Sequence, residues 1–156
     1  ITCHAQTSSD RMCRAKFGTF APASFDLYAC AMCYTYLTNS EDVAVLPYSS
    51  YLYVRTDQTV YPKETLLTPD AENATFADMV CRTLDHDGCI SWKSCCKAAH
   101  TCCQSHIQSP PGRNDSCPRT WDGFGCWEDT RPGKIVYIGC PAFLKYSVSS
   151  SKYTIV

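Results

Sequence analysis

Cysteine is the residue type that decides what chemistry this chain can do. Thirteen of the 156 residues are cysteine, and such a density is typical of proteins from oxidising compartments. Cysteine sulfur can attack substrates, bind metal ions or form disulfides. No cysteine lies in a recognisable nucleophile motif, and no carboxylate pair or phosphate-binding loop stands out. We therefore expect no enzymatic activity, no catalytic residue and no cofactor.

Zinc binding is the main chemical alternative to disulfides. One segment combines two vicinal cysteine pairs with two histidines: Cys95, Cys96, Cys102, Cys103, His100 and His106. These side chains offer the thiolates and imidazoles that zinc prefers. Structural zinc sites, however, usually take their cysteines from CxxC turns, and vicinal pairs on a helix suit a disulfide network better. The sequence favours disulfides here, and the CxxC pair Cys30 and Cys33 is likewise expected to form structural half-cystines.

Net charge and composition restrict the classes of partner that this chain is expected to bind. The net charge of −1 predicts no general attraction to nucleic acid or anionic membrane. No apolar run approaches the length of a membrane span, so we expect no membrane insertion by this segment. Two acceptor sequons begin at Asn73 and Asn114, and with the cysteines they predict an extracellular glycoprotein. The chain starts at Ile1 without a signal-type leader, so a leader, if there was one, is expected to have been removed.

Three helices are predicted to position the cysteines. Apolar residues recur at helical spacing over residues 24–38, where Ser24 is a plausible N-cap. A second helical pattern begins at Asp70 and breaks at residues 85–88. A third is expected to start near Ser91 and to end at the Ser-Pro-Pro-Gly sequence that follows. Its cysteines and one tryptophan fall three or four residues apart, so they should face inward.

The remaining N-terminal segments are predicted to have a less regular structure. Residues 1–22 are polar and are expected to be irregular and tethered by disulfides. Residues 43–54 are predicted to be a strand or an extended loop, whereas residues 55–69 have the polar, proline-containing composition of a linker. We therefore expect two parts: an N-terminal cysteine-containing helical module over 1–65 and a second domain over 66–156.

The most informative stretch runs from Cys117 to Phe143. Asp122 and Gly123 form a strong turn pair between aromatic residues. The sequence Lys-Ile-Val-Tyr-Ile at 134–138 predicts a short strand. A hairpin this small buries little apolar surface, so disulfides and tryptophans are expected to hold it.

The same stretch resembles a known family, the hormone-receptor domain of class B (secretin-type) G-protein-coupled receptors. The family pattern is a Cys, Thr-aromatic-Asp, Cys-Trp, a Gly, and Cys-Pro followed by an aromatic. Here these are Cys117, Thr120-Trp121-Asp122, Cys126-Trp127, Gly133, and Cys140-Pro141 with Phe143. The resemblance implies an α+β fold: a small disulfide-rich domain with helices packed on a short antiparallel β hairpin or two-layer sheet.

The resemblance also implies roles for individual residues. In the family, a helical peptide lies in a groove between the helix and the β layers. The positions carried over to the groove side are Phe124, Phe143, Leu144 and, as a weaker candidate, Tyr146. The positions carried over as structural are Asp122, Trp127, Gly133 and Pro141.

The family's disulfides carry over only in part. The resemblance implies that Cys126 pairs with a cysteine of the preceding helix, either Cys102 or Cys103. In the family, the cysteines at the positions of Cys117 and Cys140 are bonded to two cysteines that follow the Cys-Pro motif. This sequence has no cysteine after that motif. A Cys117–Cys140 bond is one possible rearrangement. Because thirteen is odd, at least one thiol must also be free, bonded between chains or paired outside this sequence.

The resemblance implies the extracellular domain of a class B receptor. Its expected partners are a helical peptide hormone or neuropeptide and, in a longer chain, a seven-helix receptor domain. The alternative is a freestanding secreted protein that reuses the module to sequester a peptide or to assemble with another chain.

Overall fold

The computed structural model describes residues 11–38, 40–46, 49–110 and 112–144, and the backbone of 152–155. The described helices are α1 (Pro22–Thr38), α2 (Ala74–Cys81) and α3 (His86–Gln108). The described strands are β1 (Cys13–Ala15), β2 (Gly18–Phe20), β3 (Val43–Val45), β4 (Leu52–Val54), β5 (Leu66–Leu67), β6 (Thr120–Trp121), β7 (Cys126–Trp127), β8 (Val136–Gly139) and β9 (Lys152–Ile155). This is the predicted α+β, disulfide-rich class.

Helices α1 and α3 pack on each other to form the centre of the molecule. Two disulfides, Cys30–Cys96 and Cys33–Cys95, join them, and all four cysteines are buried. The indole N–H of Trp92 donates to the backbone oxygen of Cys30 at 3.0 Å. This bond satisfies the one polar atom of a fully buried indole. The CxxC pair therefore has the structural role that was predicted.

Two helices begin earlier than the sequence analysis predicted. Helix α1 starts at Pro22, since proline needs no hydrogen-bond partner for its nitrogen in the first turn; Ser24 is therefore not the N-cap. Helix α3 is capped by Asp85, whose Oδ1 accepts from the backbone N–H of Gly88 at 2.6 Å. Ser91 consequently lies inside α3, and the predicted break at 85–88 is the start of the helix.

A four-stranded sheet brings distant parts of the chain together in the order β2-β1-β6-β7. Strand β1 pairs in parallel with β6 through Ala15 and Trp121. The Cys13–Cys103 disulfide ties the same strand to α3. The tether predicted for the N-terminal segment is thus present, but residues 13–20 form a hairpin rather than an irregular chain; Cys3 lies outside the described residues.

A second sheet, in the order β3-β4-β5, packs one apolar face into the core. Its inward side chains are fully or nearly fully buried: Val43, Leu52, Val54 and Leu67. Strand β5 belongs to the segment predicted to be a linker, and it pairs with β4 on the other side of the expected 65/66 boundary. Three disulfides and this strand pairing join residues 1–65 to residues 66–156. The division of the chain into two parts stays a prediction.

The predicted strand at 134–138 forms as β8, shifted to 136–139, and pairs with β9. Ile138 packs on the β6–β7 hairpin, where a Cβ on Gly125 would lie 2.1 Å from its Cδ1. A side chain at position 125 would therefore require the terminal methyl of Ile138 to move. Among the described residues, none of the helices is long and apolar enough to cross a membrane.

Candidate functional site

The turn between β6 and β7 is organised by one carboxylate. Oδ1 of Asp122 accepts from the backbone N–H groups of Phe124 and Gly125, at 2.9 and 2.7 Å. Its Oδ2 accepts from the indole N–H of Trp127 at 2.8 Å. Gly123 has φ +106°, a conformation that favours glycine. These contacts make the Asp-Gly pair the turn that the sequence predicted.

Helix α1 lies against this turn through one tyrosine. The Tyr36 ring sits so close to the Gly123 backbone that a Cβ there would lie 2.4 Å from Cε2 of the ring. Tyr36 and Phe124 also contact each other, with ring centroids 5.0 Å apart. Burial, and secondly the Asp122 carboxylate, raise the pKa of the Tyr36 phenol above its ordinary value. Tyr36 is still 37% exposed, so the two rings form a partly open aromatic surface, here called the aromatic pair.

The other positions carried over as ligand-binding are less exposed than expected. Phe143 is only 9% exposed and belongs to the core cluster, against which Leu144 packs. The backbone N–H of Leu144 donates to the oxygen of Pro141 at 3.1 Å, so the two residues share a turn. Tyr146 lies outside the described residues. Of the three described positions, Phe124 is the one placed at the aromatic pair.

A separate open groove of about 490 Å³ runs along the outer side of α3. Its lining combines helix residues with the disulfide that joins α3 to β7: Ser94, Lys97, Ala98, Thr101, Ser105, Cys102 and Cys126. We call it the α3 groove. The sequence did not predict this groove, because the small residues of this helix face resemble an ordinary solvent-exposed face.

The disulfide at the end of this groove joins Cys102 to Cys126. Cys102 is one of the two partners that the resemblance implied, and Cys103 instead pairs with Cys13. Cys117 is an exposed free thiol, so the Cys117–Cys140 bond considered above is not formed. All four cysteines of the zinc alternative are in disulfides, so none of them offers a free thiolate in the oxidised protein.

His106 lies beneath the Cys102–Cys126 disulfide and is buried. Its Nε2 is 3.3 Å from Sγ of Cys126 and 3.7 Å from Sγ of Cys102. Oε1 of Glu128 lies 3.6 Å from the same nitrogen. Burial lowers the pKa of His106 below its ordinary value, and the Glu128 carboxylate opposes this effect only in part. The imidazole is therefore held in its neutral form near neutral pH.

Arg119 fastens the end of α3 to the hairpin. Its Nε donates to Oδ2 of Asp129 at 2.8 Å, and Nη1 donates to the backbone oxygen of His106 at 2.8 Å. Nη2 donates to the oxygen of Pro110. The guanidinium satisfies backbone oxygens at the end of the helix that would otherwise lack partners. This role was not predicted, because no local sequence pattern distinguishes Arg119 from a surface arginine.

Both predicted glycosylation sites are exposed in the structure. Oδ1 of Asn73 caps α2 by accepting from the N–H groups of Thr75 and Phe76, at 3.0 and 3.2 Å. An N-glycan is attached through the amide nitrogen, which these two bonds leave unused. Asn114 lies in a turn before β6. Glycosylation at either position stays a prediction.

These features define a small α+β domain in which a cysteine-bearing helix is bonded to a β hairpin with a buried Asp-Trp contact. Residues 114–154 match the family model described as the hormone receptor domain. The matched segment holds β6 to β9, and it is about a quarter of the chain. Residues 114–154 thus resemble the hormone receptor domain, as the sequence pattern indicated.

Curated relatives that match are class B receptors. The chain is 39% identical over 54 residues to the G-protein coupled receptor seb-2 of Caenorhabditis elegans, covering 33% of this chain and 11% of that protein. It is 48% identical over 33 residues to the growth hormone-releasing hormone receptor of Sus scrofa (21% and 8%). It is 40% identical over 56 residues to the calcitonin receptor of Rattus norvegicus (35% and 11%). The chain therefore spans only about a tenth of the length of these relatives. No solved structure gives a significant match.

Proposed function

We propose that this chain is an extracellular peptide-hormone-binding region of a class B G-protein-coupled receptor. In the whole receptor it would be coupled to a seven-helix domain. The observation that carries the proposal is the match of residues 114–154 to the hormone receptor domain. The Cys102–Cys126 bond supports it, because it joins helix and hairpin as the resemblance implied. The region performs no chemical reaction in this proposal.

The aromatic pair is the proposed contact for the peptide. Phe124 projects from a turn whose backbone is held by Asp122, and Tyr36 projects from a helix with two disulfides to α3. Rigid, partly exposed aromatic rings lose little conformational entropy on binding, which favours binding hot spots. Phe143 and Leu144 are proposed to support this surface from below, since Phe143 is buried.

The test is a calorimetric titration of the natively oxidised chain with C-terminally amidated helical peptides, beginning with calcitonin and growth hormone-releasing hormone. An isolated extracellular region makes part of a receptor's contacts, so we expect a Kd between micromolar and high nanomolar, about −8 to −9 kcal/mol. Phe124→Ala should cost roughly 1–3 kcal/mol of binding free energy. Phe143→Ala cannot be compared directly with Phe124→Ala, because removing a buried ring should also lower the free energy of unfolding by about 3 kcal/mol.

The matched control is Thr101→Trp, which fills the α3 groove at an exposed helix position. It should leave binding unchanged while Phe124→Ala weakens it. If Thr101→Trp abolished binding and Phe124→Ala did not, the function would stand and the site would move to the α3 groove. If no peptide of this type bound a correctly oxidised sample, the receptor proposal would fail.

A further inference from the structure

His106 and the Cys102–Cys126 disulfide form the only cluster of three potential metal-ligating side chains among the described residues. Their ligand atoms all lie within 4.8 Å of one another. The cluster stands at the inner end of the α3 groove, which both cysteines line.

The distances match those of a tetrahedral metal site. With metal–sulfur bonds of about 2.3 Å and metal–nitrogen bonds of about 2.05 Å, sulfur and nitrogen ligands stand about 3.5 Å apart. The distances from Nε2 of His106 to the two sulfurs are 3.3 and 3.7 Å. The two sulfurs, which are bonded in the oxidised protein, must separate to about 3.8 Å, and their distances to Nε2 adjust as they do. Oε1 of Glu128, 3.6 Å from the same nitrogen, is within reach of a fourth position.

We propose that reduction of the Cys102–Cys126 disulfide converts this cluster into a binding site for a thiophilic divalent metal ion, Zn²⁺. The two thiolates and Nε2 of His106 are the ligands. The reductant is an external dithiol or phosphine. With a dithiol, its two S–H groups become a disulfide while the Cys102–Cys126 bond is replaced by two S–H groups. With a phosphine, the phosphorus is oxidised to the phosphine oxide, and one water molecule supplies the oxide oxygen and the hydrogens of the two new S–H groups. Each thiol then loses its proton on binding, so uptake of one Zn²⁺ releases two protons.

The Cys102–Cys126 disulfide is more accessible to an external reductant than the disulfides of the core. In three disulfides both cysteines are buried: Cys13–Cys103, Cys30–Cys96 and Cys33–Cys95. Cys126 is partly exposed and lines an open groove. Cys81–Cys89 is also partly exposed, but it belongs to no three-ligand cluster among the described residues. Limited reduction should therefore open two disulfides and leave the three core disulfides intact, so the fold persists while the site forms.

The experiment begins by blocking accessible thiols, including Cys117, in the native protein with iodoacetamide. Limited anaerobic treatment with a phosphine follows, and the opened cysteines are identified by N-ethylmaleimide labelling and mass spectrometry of a parallel sample. After the phosphine is removed, the protein is titrated with Co²⁺. We expect one Co²⁺ per chain, thiolate-to-cobalt absorption, and the visible bands of tetrahedral cobalt. Zn²⁺ should displace the cobalt.

Three variants distinguish metal binding at this cluster from binding by other thiols. His106→Gln should weaken Co²⁺ and Zn²⁺ binding at least about tenfold, whereas His100→Asn on the same helix should not change it. The double variant Cys81→Ser, Cys89→Ser should bind metal like the wild type. If His106→Gln does not fold, X-ray absorption of the zinc-loaded wild type decides: two sulfurs with an imidazole support the site, and sulfur ligation without nitrogen overturns it.

Other outcomes also overturn the proposal. One is a labelling map in which Cys102 and Cys126 stay bonded until the core disulfides open. Another is a protein with both cysteines reduced that binds no metal stoichiometrically. A third is metal binding that is unaffected by His106→Gln. Peptide binding by the oxidised chain is not involved in any of these measurements, so their failure leaves the proposed function untouched.

Discussion

Asp122 and Trp127 are joined by a hydrogen bond of 2.8 Å from the indole N–H to Oδ2 of the carboxylate. The indole is 6% exposed, so this bond satisfies its polar atom, while the other carboxylate oxygen holds the turn at Phe124 and Gly125. A single side chain thus fixes both the core tryptophan and the backbone beneath the aromatic pair.

Substitutions at Asp122 should have graded effects. Asp122→Ala removes all three bonds and leaves a buried indole N–H without a partner, so the free energy of unfolding should fall by about 2–3 kcal/mol. Asp122→Asn can keep the two backbone bonds through its oxygen but presents an N–H₂ group to the indole, so about 1 kcal/mol should be lost. Chemical denaturation checks both values. Equal effects of the two variants would contradict this division of roles.

Arg119 should be as important for stability as a core residue. Its side chain and that of Asp129 are 14% and 20% exposed. Arg119→Ala would remove the side-chain partner of Asp129 Oδ2 and of backbone oxygens at the end of α3, while Oδ1 would keep its bond to the backbone N–H of residue 119. We expect a loss of about 2–4 kcal/mol in the free energy of unfolding. Arg119→Lys should recover only part, because an ammonium group cannot reproduce the guanidinium fork.

The control for Arg119 is Arg82→Ala. Arg82 pairs with Asp78 one turn away, and both side chains are more than half exposed. Exposed pairs contribute little to stability, so the melting temperature should barely change. If the two alanine variants behaved alike, Arg119 would be an ordinary surface residue.

Stability should depend on pH through His106. In the folded protein burial lowers the pKa of His106, whereas in the unfolded chain it titrates near 6.5. The unfolded chain therefore gains the proton first as pH falls, so the stability contributed by the neutral imidazole is present above about pH 6.5 and is lost below it. Denaturation midpoints of wild type and His106→Gln between pH 7.5 and 5 are the measurement, with His100→Asn as control. Parallel pH profiles for wild type and His106→Gln would contradict this account.

Local signals in the sequence predicted much of the fold. The Asp-Gly pair required a turn, and it is one, because Asp122 can bond the backbone after it. The half-cystines of α3 were expected to face inward from their spacing, and Cys95, Cys96, Cys102 and Cys103 are all buried. The start of α3 was misplaced because both Asp85 and Ser91 are capping residues. Only the bond from Asp85 to Gly88 distinguishes them, and it exists in the folded chain alone.

The long-range strand and side-chain pairings could not be predicted from the sequence. Ala15 pairs with Trp121 through a single bridge, and no local pattern identifies a partner more than a hundred residues away. The same is true of Tyr36, whose position at helical spacing predicts a core contact but not its contact with Phe124. The choice between Cys102 and Cys103 depended on the rotation of α3, which is set by the two bonds to α1.

The central claim is that α3 and the β6–β7 hairpin form one hormone-receptor-like unit, and a disulfide map tests it most directly. Trypsin leaves Cys102 and Cys103 in one peptide, so fragmentation must cut between them to assign their partners. The account predicts Cys126 bonded to Cys102 and Cys13 bonded to Cys103. A native protein in which Cys126 is bonded to Cys13 or Cys3 would contradict it.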